Sequence, residues 1–344
     1  MKLAVPTSGS AEDPIFRSRF GGLWTDRSDA HQILADRRDS GQITEAEAES
    51  LAHYIDHGYV VVERAVDDEV IDDYVEFFEQ SWDDAPRLLT ALCHGVPFPV
   101  SRELYDKIAK VSCLHWFYPR AEEIIFPPSV FRFLTLIYER PPVVFQTMSM
   151  RKGSEEPLHI DTGPLTLTEP MSMVASWLAL EDIKPNSGEL EFVPGSHRLP
   201  EVLIHGVSKG HNGDMVEYDR VLGRIREMSE ERGLNTERFA ATKGDVLIWH
   251  ADLMHGGAKI EDPNSTRQSL VAHFMPLGVM PSFYDYSQVS AVRYGNGGYC
   301  LDNYNFKTRP DPPATGLRRV KNGIPLPLRV FVRRQVDRVR PRES

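Results

Sequence analysis

The sequence predicts a β jelly roll (a double-stranded β-helix) flanked by N-terminal helices, mainly β with added α, and three observations predict it. From about residue 141 onward, short β-branched and aromatic runs alternate with Gly, Pro and Asn clusters. That is the texture of a sandwich or barrel rather than of repeating βαβ units. The first 140 residues carry mostly helical periodicity instead. Finally, polar motifs on two well-separated runs are related if the chain leaves one strand and returns beside it, as a jelly roll does.

The elements follow in order. Residues 1–40 are polar and irregular ("DRSDA", "ADRRDSG"), which predicts a loosely packed lead-in. Thr44 and Glu47 form a capping box, so a helix should run from there to about His57. "YVVVERAV" reads as a short strand. "DDEVIDDYVEFFEQSW" sets Val70, Ile71, Tyr74, Phe77 and Phe78 on one helical face. More helix is expected over Glu103–Val111 and Ala121–Glu139. Residues 41–280 read as one domain with its jelly-roll core at about 141–280. The core strands are expected in "VVFQTMSMRK", "MVASWLALEDI", "ELEFV", "DVLIWH" and "QSLVAHFMP". A polar insertion at 206–238, with a charged helix at Tyr218–Glu231, interrupts it. Residues 281–344 form a C-terminal extension.

Composition narrows the class. The chain has 344 residues, 41% of them hydrophobic, which is ample for a core. No apolar run is long enough to cross a bilayer, and "MKLAVPTSGSAEDP" does not read as a signal peptide. Three scattered cysteines fit a reducing cytoplasm better than a disulfide scaffold. Net charge is −11, yet nine Arg/Lys face two Asp/Glu from Thr315 onward, so the remaining body is more acidic still. An acidic body argues against nucleic acid as a partner. In the basic end, Leu328, Val332, Val336 and Val339 fall at helical spacing among arginines. Docking on the acidic body, or fraying, is favoured there over peripheral membrane contact.

Two H-x-D motifs, His159–Asp161 and His250–Asp252, compete as metal ligands. In a strand, residues i and i+2 share a face, so either pair could converge on one ion. An open octahedral Fe(II) site needs a third ligand. His255 lies 94 residues beyond Asp161, which leaves room for the intervening strands. After Asp252 only His255 and His273 remain, too close for the chain to leave and return. His159, Asp161 and His255 are therefore the candidate triad. Arg267 follows twelve residues after His255, and shares a strand face with Ser269. A guanidinium fork beside a hydroxyl suits a buried carboxylate. His197 is expected to order the "VPGSHR" turn, and His250 to pack or to support the site. His273 falls on the Arg267 face by parity, where a buried neutral histidine is commoner than a fourth ligand.

H-x-D, a distal histidine and R-x-S at this spacing resemble the Fe(II)/2-oxoglutarate dioxygenases. "SWLALEDIKPNSGELEFVPGSHRLP" and "KGDVLIWHADLMHGG" are similar to the phytanoyl-CoA dioxygenase family, over about residues 140–276, and "YIDHGYVVVERAVDDEVID" also has its look. The resemblance implies that His159, Asp161 and His255 hold iron, and that Arg267 with Ser269 holds 2-oxoglutarate. It implies O2-dependent hydroxylation of a small-molecule substrate with release of succinate and CO2; the retained Asp161 favours this over halogenation. It also points to Gln146, Trp177 and Lys152 as cosubstrate contacts, although Trp177 reads equally as a core aromatic and Lys152 as a solvated strand end. Two other readings stay open: a non-catalytic jelly-roll binding protein, and a cupin-type metalloenzyme that does without 2-oxoglutarate.

Overall fold

A computed structural model describes residues 15–84, 89–93, 96–282 and 289–303. The basic C-terminal end and His94 lie outside the described residues. Helices α1 (Ala30–Asp39), α2 (Glu45–His57) and α3 (Asp68–Gln80) open the fold, with strand β1 (Tyr59–Val62) between the last two. The lead-in is more ordered than its polar composition predicts: residues 30–39 are helical, and buried Ala30 and Leu34 give α1 a packed side. At the start of α2 the capping box forms as expected. Thr44 Oγ1 accepts from the Glu47 backbone N–H, and the Glu47 carboxylate accepts from the Thr44 N–H.

Strands β2 (Thr90–Cys93), β3 (Val96–Pro99) and β4 (Ala109–Ser112) come next, then helices α4 (Ala121–Ile125) and α5 (Pro128–Tyr138). The helix expected over Glu103–Val111 is therefore a correction. A single 3-10 turn covers Arg102–Leu104, and 109–112 is a strand paired with both β2 and the following β5. The helix expected over Ala121–Glu139 is split, because Pro127 cannot continue α4 and Pro128 is suited to the first turn of α5.

The rest of the framework is strand-rich: β5 (Pro142–Met150), β6 (Val174–Ala179), β7 (Leu190–Phe192), helix α6 (Met215–Glu231), β8 (Glu237–Phe239), β9 (Val246–His250), β10 (His255–Gly257), β11 (Ser269–Pro276), β12 (Val289–Arg293) and β13 (Tyr299–Asn303). Eight strands of the large sheet run in the order β1-β9-β6-β11-β5-β4-β2-β3, with the β12–β13 hairpin attached to β5 through β13. A small sheet, β10-β7-β8, lies opposite. The two sheets with intervening crossovers make the expected jelly roll, and β1 to β4 extend its large sheet beyond the 141–280 core.

Alternation along the strands divides the interior into two layers. Val60, Val246, Ile248, Val174, Leu178, Leu270 and Ala272 face the helices, in one cluster with Leu51, Ile71, Tyr74, Phe78 and Leu134. Their neighbours Leu247, Trp249, Ala175, Trp177 and Val271 face the other way, onto Leu190 and Phe192 of the small sheet. The helices thus back one face of the large sheet and leave the other to line the cavity between the sheets. No helix among the described residues is long and apolar enough to cross a membrane.

Candidate metal and cosubstrate site

The two H-x-D motifs lie side by side. The Asp161 backbone N–H donates to the Ala251 carbonyl at 2.9 Å, and His159 and His255 exchange backbone hydrogen bonds of 2.9 and 3.0 Å as an isolated antiparallel bridge. His159 and Asp161 are therefore not residues i and i+2 of a regular strand: the bridge ends at His159, and Asp161 opens a turn. Gly256 permits the close approach, since a Cβ there would lie 2.6 Å from the Glu156 carbonyl oxygen.

The geometry selects one tautomer for each imidazole. His159 Nδ1 lies 2.9 Å from the Pro157 carbonyl oxygen, and His255 Nδ1 lies 2.9 Å from that of Leu253. A carbonyl can only accept, so Nδ1 carries the hydrogen and the Nε2 lone pair is left for another partner. Those Nε2 atoms lie 3.8 and 3.6 Å from Asp161 Oδ1, beyond hydrogen-bond range. One ligand atom from each of the three residues lies within 4.8 Å of the other two. Ligands at about 2.1 Å from one ion are at most about 4.2 Å apart, and both imidazole-to-carboxylate separations, 3.8 and 3.6 Å, fall inside that limit, as a shared divalent ion requires. The other carboxylate oxygen, Asp161 Oδ2, accepts from Trp249 Nε1 at 2.9 Å, which leaves Oδ1 facing the imidazoles.

Electrostatics agree with that assignment. Burial alone would raise the Asp161 carboxyl, but His255, His273 and His159, with the Trp249 N–H, outweigh it and hold the group below its usual range. Burial lowers His255 to about 4, partly opposed by Asp161, so its imidazole is neutral and ready to ligate near pH 7.

Arg267 lines the same cavity and is 1% exposed. Its Nε donates to the Gly188 carbonyl (2.8 Å) and its Nη1 to Ser269 Oγ (2.8 Å). No carboxylate among the described residues lies in ion-pair range of it. Burial lowers its pKa to about 10, with Glu189 opposing, so the guanidinium remains charged. It lies 5.3 Å from the centre of the Trp177 ring. A buried cation with two of five N–H donors engaged fits an incoming carboxylate.

Among the other expected contacts, Trp177 lines the cavity and is fully buried. Ser269 reaches it only through Arg267. Gln146 is half-buried opposite His273 in the β5–β11 ladder, with an unpartnered Oε1, and does not line the cavity. Lys152 is also outside it: β5 ends at Met150, and Lys152 Nζ donates to the Pro263 carbonyl at an exposed position (2.7 Å). Elsewhere, His197 packs in its turn with Nε2 3.2 Å from the Ile55 carbonyl, and His250 Nε2 lies 3.1 Å from Asp26 Oδ1. His273 does face the site, its Nε2 3.9 Å from Asp161 Oδ1.

Lys110, Glu156 and Trp249 are among the cavity residues that escape a sequence reading. Lys110 and Glu156 are ion-paired on its wall. Lys110 was hidden by the helical reading of its strand, and Glu156 by its loop. Trp249, the Asp161 partner, was within reach of parity, since it alternates with the helix-facing Ile248.

The family model for phytanoyl-CoA dioxygenase (PhyH) matches residues 54–268, which contain the triad and Arg267. The chain is 25% identical over 160 residues to the peroxisomal phytanoyl-CoA dioxygenase of Bos taurus and 27% identical over 154 residues to that of Rattus norvegicus. In both cases the alignment covers 43% of this chain and 40% of the relative, so the chain spans well under half the length of these curated relatives. Among solved structures it resembles the non-heme alpha ketoglutarate dependent carbocyclase SnoK from nogalamycin biosynthesis (TM-score 0.51, 14% identity, 70% of this chain and 87% of that one). It also resembles the epimerase SnoN in complex with Fe3+, alpha ketoglutarate and nogalamycin RO (TM-score 0.51, 18% identity, 79% and 97%). These likenesses carry the jelly-roll fold, and the family match spans most of the core that builds the site: this chain belongs to the phytanoyl-CoA dioxygenase (PhyH) family.

Proposed function

We propose that this protein is an Fe(II)- and 2-oxoglutarate-dependent dioxygenase that hydroxylates a small organic metabolite with O2, releasing succinate and CO2. One observation carries the reading: a candidate His-Asp-His ligand set and a buried guanidinium with no carboxylate partner among the described residues line one cavity. His159, Asp161 and His255 would hold the iron, and Arg267, oriented by Ser269, the far carboxylate of 2-oxoglutarate. When bound, iron and 2-oxoglutarate supply the means to activate O2 for transfer to a substrate. Trp249 keeps Asp161 Oδ2 occupied, so that Oδ1 would be the oxygen left for a metal. Trp177, Met148, Met150, Leu190 and Val271 make an apolar lining that excludes water from the cosubstrate. SnoN, of like fold, was solved with Fe3+ and alpha ketoglutarate, which supports the same cofactor pair here.

A cupin-type metalloenzyme is the second reading, favoured by the extra imidazole of His273 near Asp161. It gives Arg267 no task. Succinate formation from 2-oxoglutarate with Fe(II) in air, with and without candidate metabolites, separates the two. Wild type should form succinate and His159→Ala none. No succinate from wild type under any of these conditions would remove the oxygenase reading.

A further inference from the structure

The 206–238 insertion and the second H-x-D motif have no part in the chemistry above, yet both grip the segments that carry the ligands. Tyr218, on α6 and 5% exposed, donates its hydroxyl to the carbonyl of Ile160, the residue between His159 and Asp161 (2.7 Å). Its ring lies so close to Gly163 that a Cβ there would be 2.2 Å from Tyr218 Cε2. The Gly163 carbonyl in turn accepts from the His211 backbone N–H (3.1 Å).

A second grip is ionic. Lys209, just ahead of α6 and with its side chain 5% exposed, sets Nζ 2.6 Å from Asp252 Oδ2 and 3.3 Å from Glu201 Oε1. The other Asp252 oxygen accepts from Thr162 Oγ1, the residue after Asp161, at 2.6 Å. The Asp252 backbone N–H donates to His250 Nδ1 (3.0 Å). Asp252 of the second H-x-D motif therefore holds an ammonium, while His250 faces Asp26.

A third grip is apolar. Ile160 and Met254, the neighbour of His255, are buried in one cluster with Val221, Leu222, Ile225 and Met228 of α6. One helix thus packs against both ligand-bearing segments. An insertion that served only as a solvent-facing wall would not bury a lysine or hydrogen-bond the backbone between two ligands.

We infer that the insertion is a brace for the metal-bearing loop, with Tyr218 and Lys209 as positioning residues that fix His159, Asp161 and His255 relative to one another. The inference rests on the metal reading above for its purpose, but the bracing itself is measurable without metal. Groups that orient ligands from behind typically contribute 10- to 100-fold in metal affinity.

The test uses the full chain with Tyr218→Phe and Lys209→Met. Val216→Ser, at a site 84% exposed on the same helix, is the control. Mn(II) affinity is read from the electron paramagnetic resonance of the free ion, and loop mobility from hydrogen exchange of peptides covering 157–168 in metal-free protein. Tyr218→Phe removes one oxygen and should keep the fold. Each of the first two variants should weaken Mn(II) binding about tenfold and speed exchange in 157–168, while exchange in β5 and β11 stays as in wild type. Val216→Ser should change neither. Binding and loop exchange within about twofold of wild type in both variants would overturn the brace, as would acceleration spread evenly over the whole chain. If wild type binds Mn(II) no better than His159→Ala, the metal reading fails, and loop exchange alone then decides the brace.

Discussion

A histidine is a metal ligand only when its lone pair has nowhere better to go. In this protein backbone carbonyls arrange that, two residues before each proposed ligand: Pro157 for His159 and Leu253 for His255. The same logic applies at the other end of the cavity. Arg267 is buried with Nε and Nη1 fixed, so its remaining donors are aimed before any cosubstrate arrives. Losing a bidentate, charge-assisted pair there should cost about 3 kcal/mol, or roughly 100-fold. Arg267→Ala is accordingly expected to raise the KM for 2-oxoglutarate about 100-fold, and Arg267→Lys to fall between, because an ammonium cannot fork. Succinate production across a 2-oxoglutarate titration checks both. An unchanged KM in Arg267→Ala would remove the anchor assignment.

At the scale of elements, strand length decides what parity can reach. Reading β5 as a run through Lys152 sets Gln146, Met148, Met150 and Lys152 on one face, and Met148 and Met150 do line the cavity. The ladder stops at Met150, however, opposite Ser269 on β11 and Lys110 on β4. Beyond it Arg151 accepts the Arg267 backbone N–H through its carbonyl, and the chain turns outward. Lys152→Ala should therefore leave the KM for 2-oxoglutarate within about twofold of wild type, as an exposed substitution does; a tenfold rise would restore Lys152 to the site. What was legible in the sequence follows the same rule. Long strands such as β5 and β11 and the capped helix α2 carry enough residues for a period to show. The four-residue β4 does not, and pairing with β2 and β5 made it a strand against a helical local pattern. The proposed ligand set was legible because it rests on residue type and chain distance. The brace was not, since hydrogen bonds from Tyr218 and Lys209 to a loop have no period at all.

Taken whole, the molecule buries or half-buries several imidazoles, and that makes its stability depend on pH in a defined direction. Burial lowers His255 from 6.5 to about 4, and likewise lowers His53, His197, His211 and His273. A group depressed in the folded state binds its proton more readily when unfolded, so falling pH favours unfolding between the unfolded and folded values. His250 runs the other way: burial lowers it, but Asp26 and Asp252 outweigh burial and raise it, so its contribution is present at low pH and lost as pH rises. Five depressed imidazoles against one raised one predict net destabilisation on acidification, with His255 alone contributing about 2 kcal/mol between about pH 7 and about pH 5. Over that range ordinary carboxylates stay largely ionised in both states, so the histidines dominate. Urea midpoints of chelator-treated protein should fall as pH is lowered across the window. His255→Asn, which cannot take the proton, should fall less steeply by about the His255 share. Chelation is essential to the comparison, because bound metal also requires unprotonated ligands and would add a loss of the same sign. A midpoint that held steady or rose on acidification would mean that the buried imidazoles take up their protons without unfolding, and that the cavity admits water freely enough to solvate them.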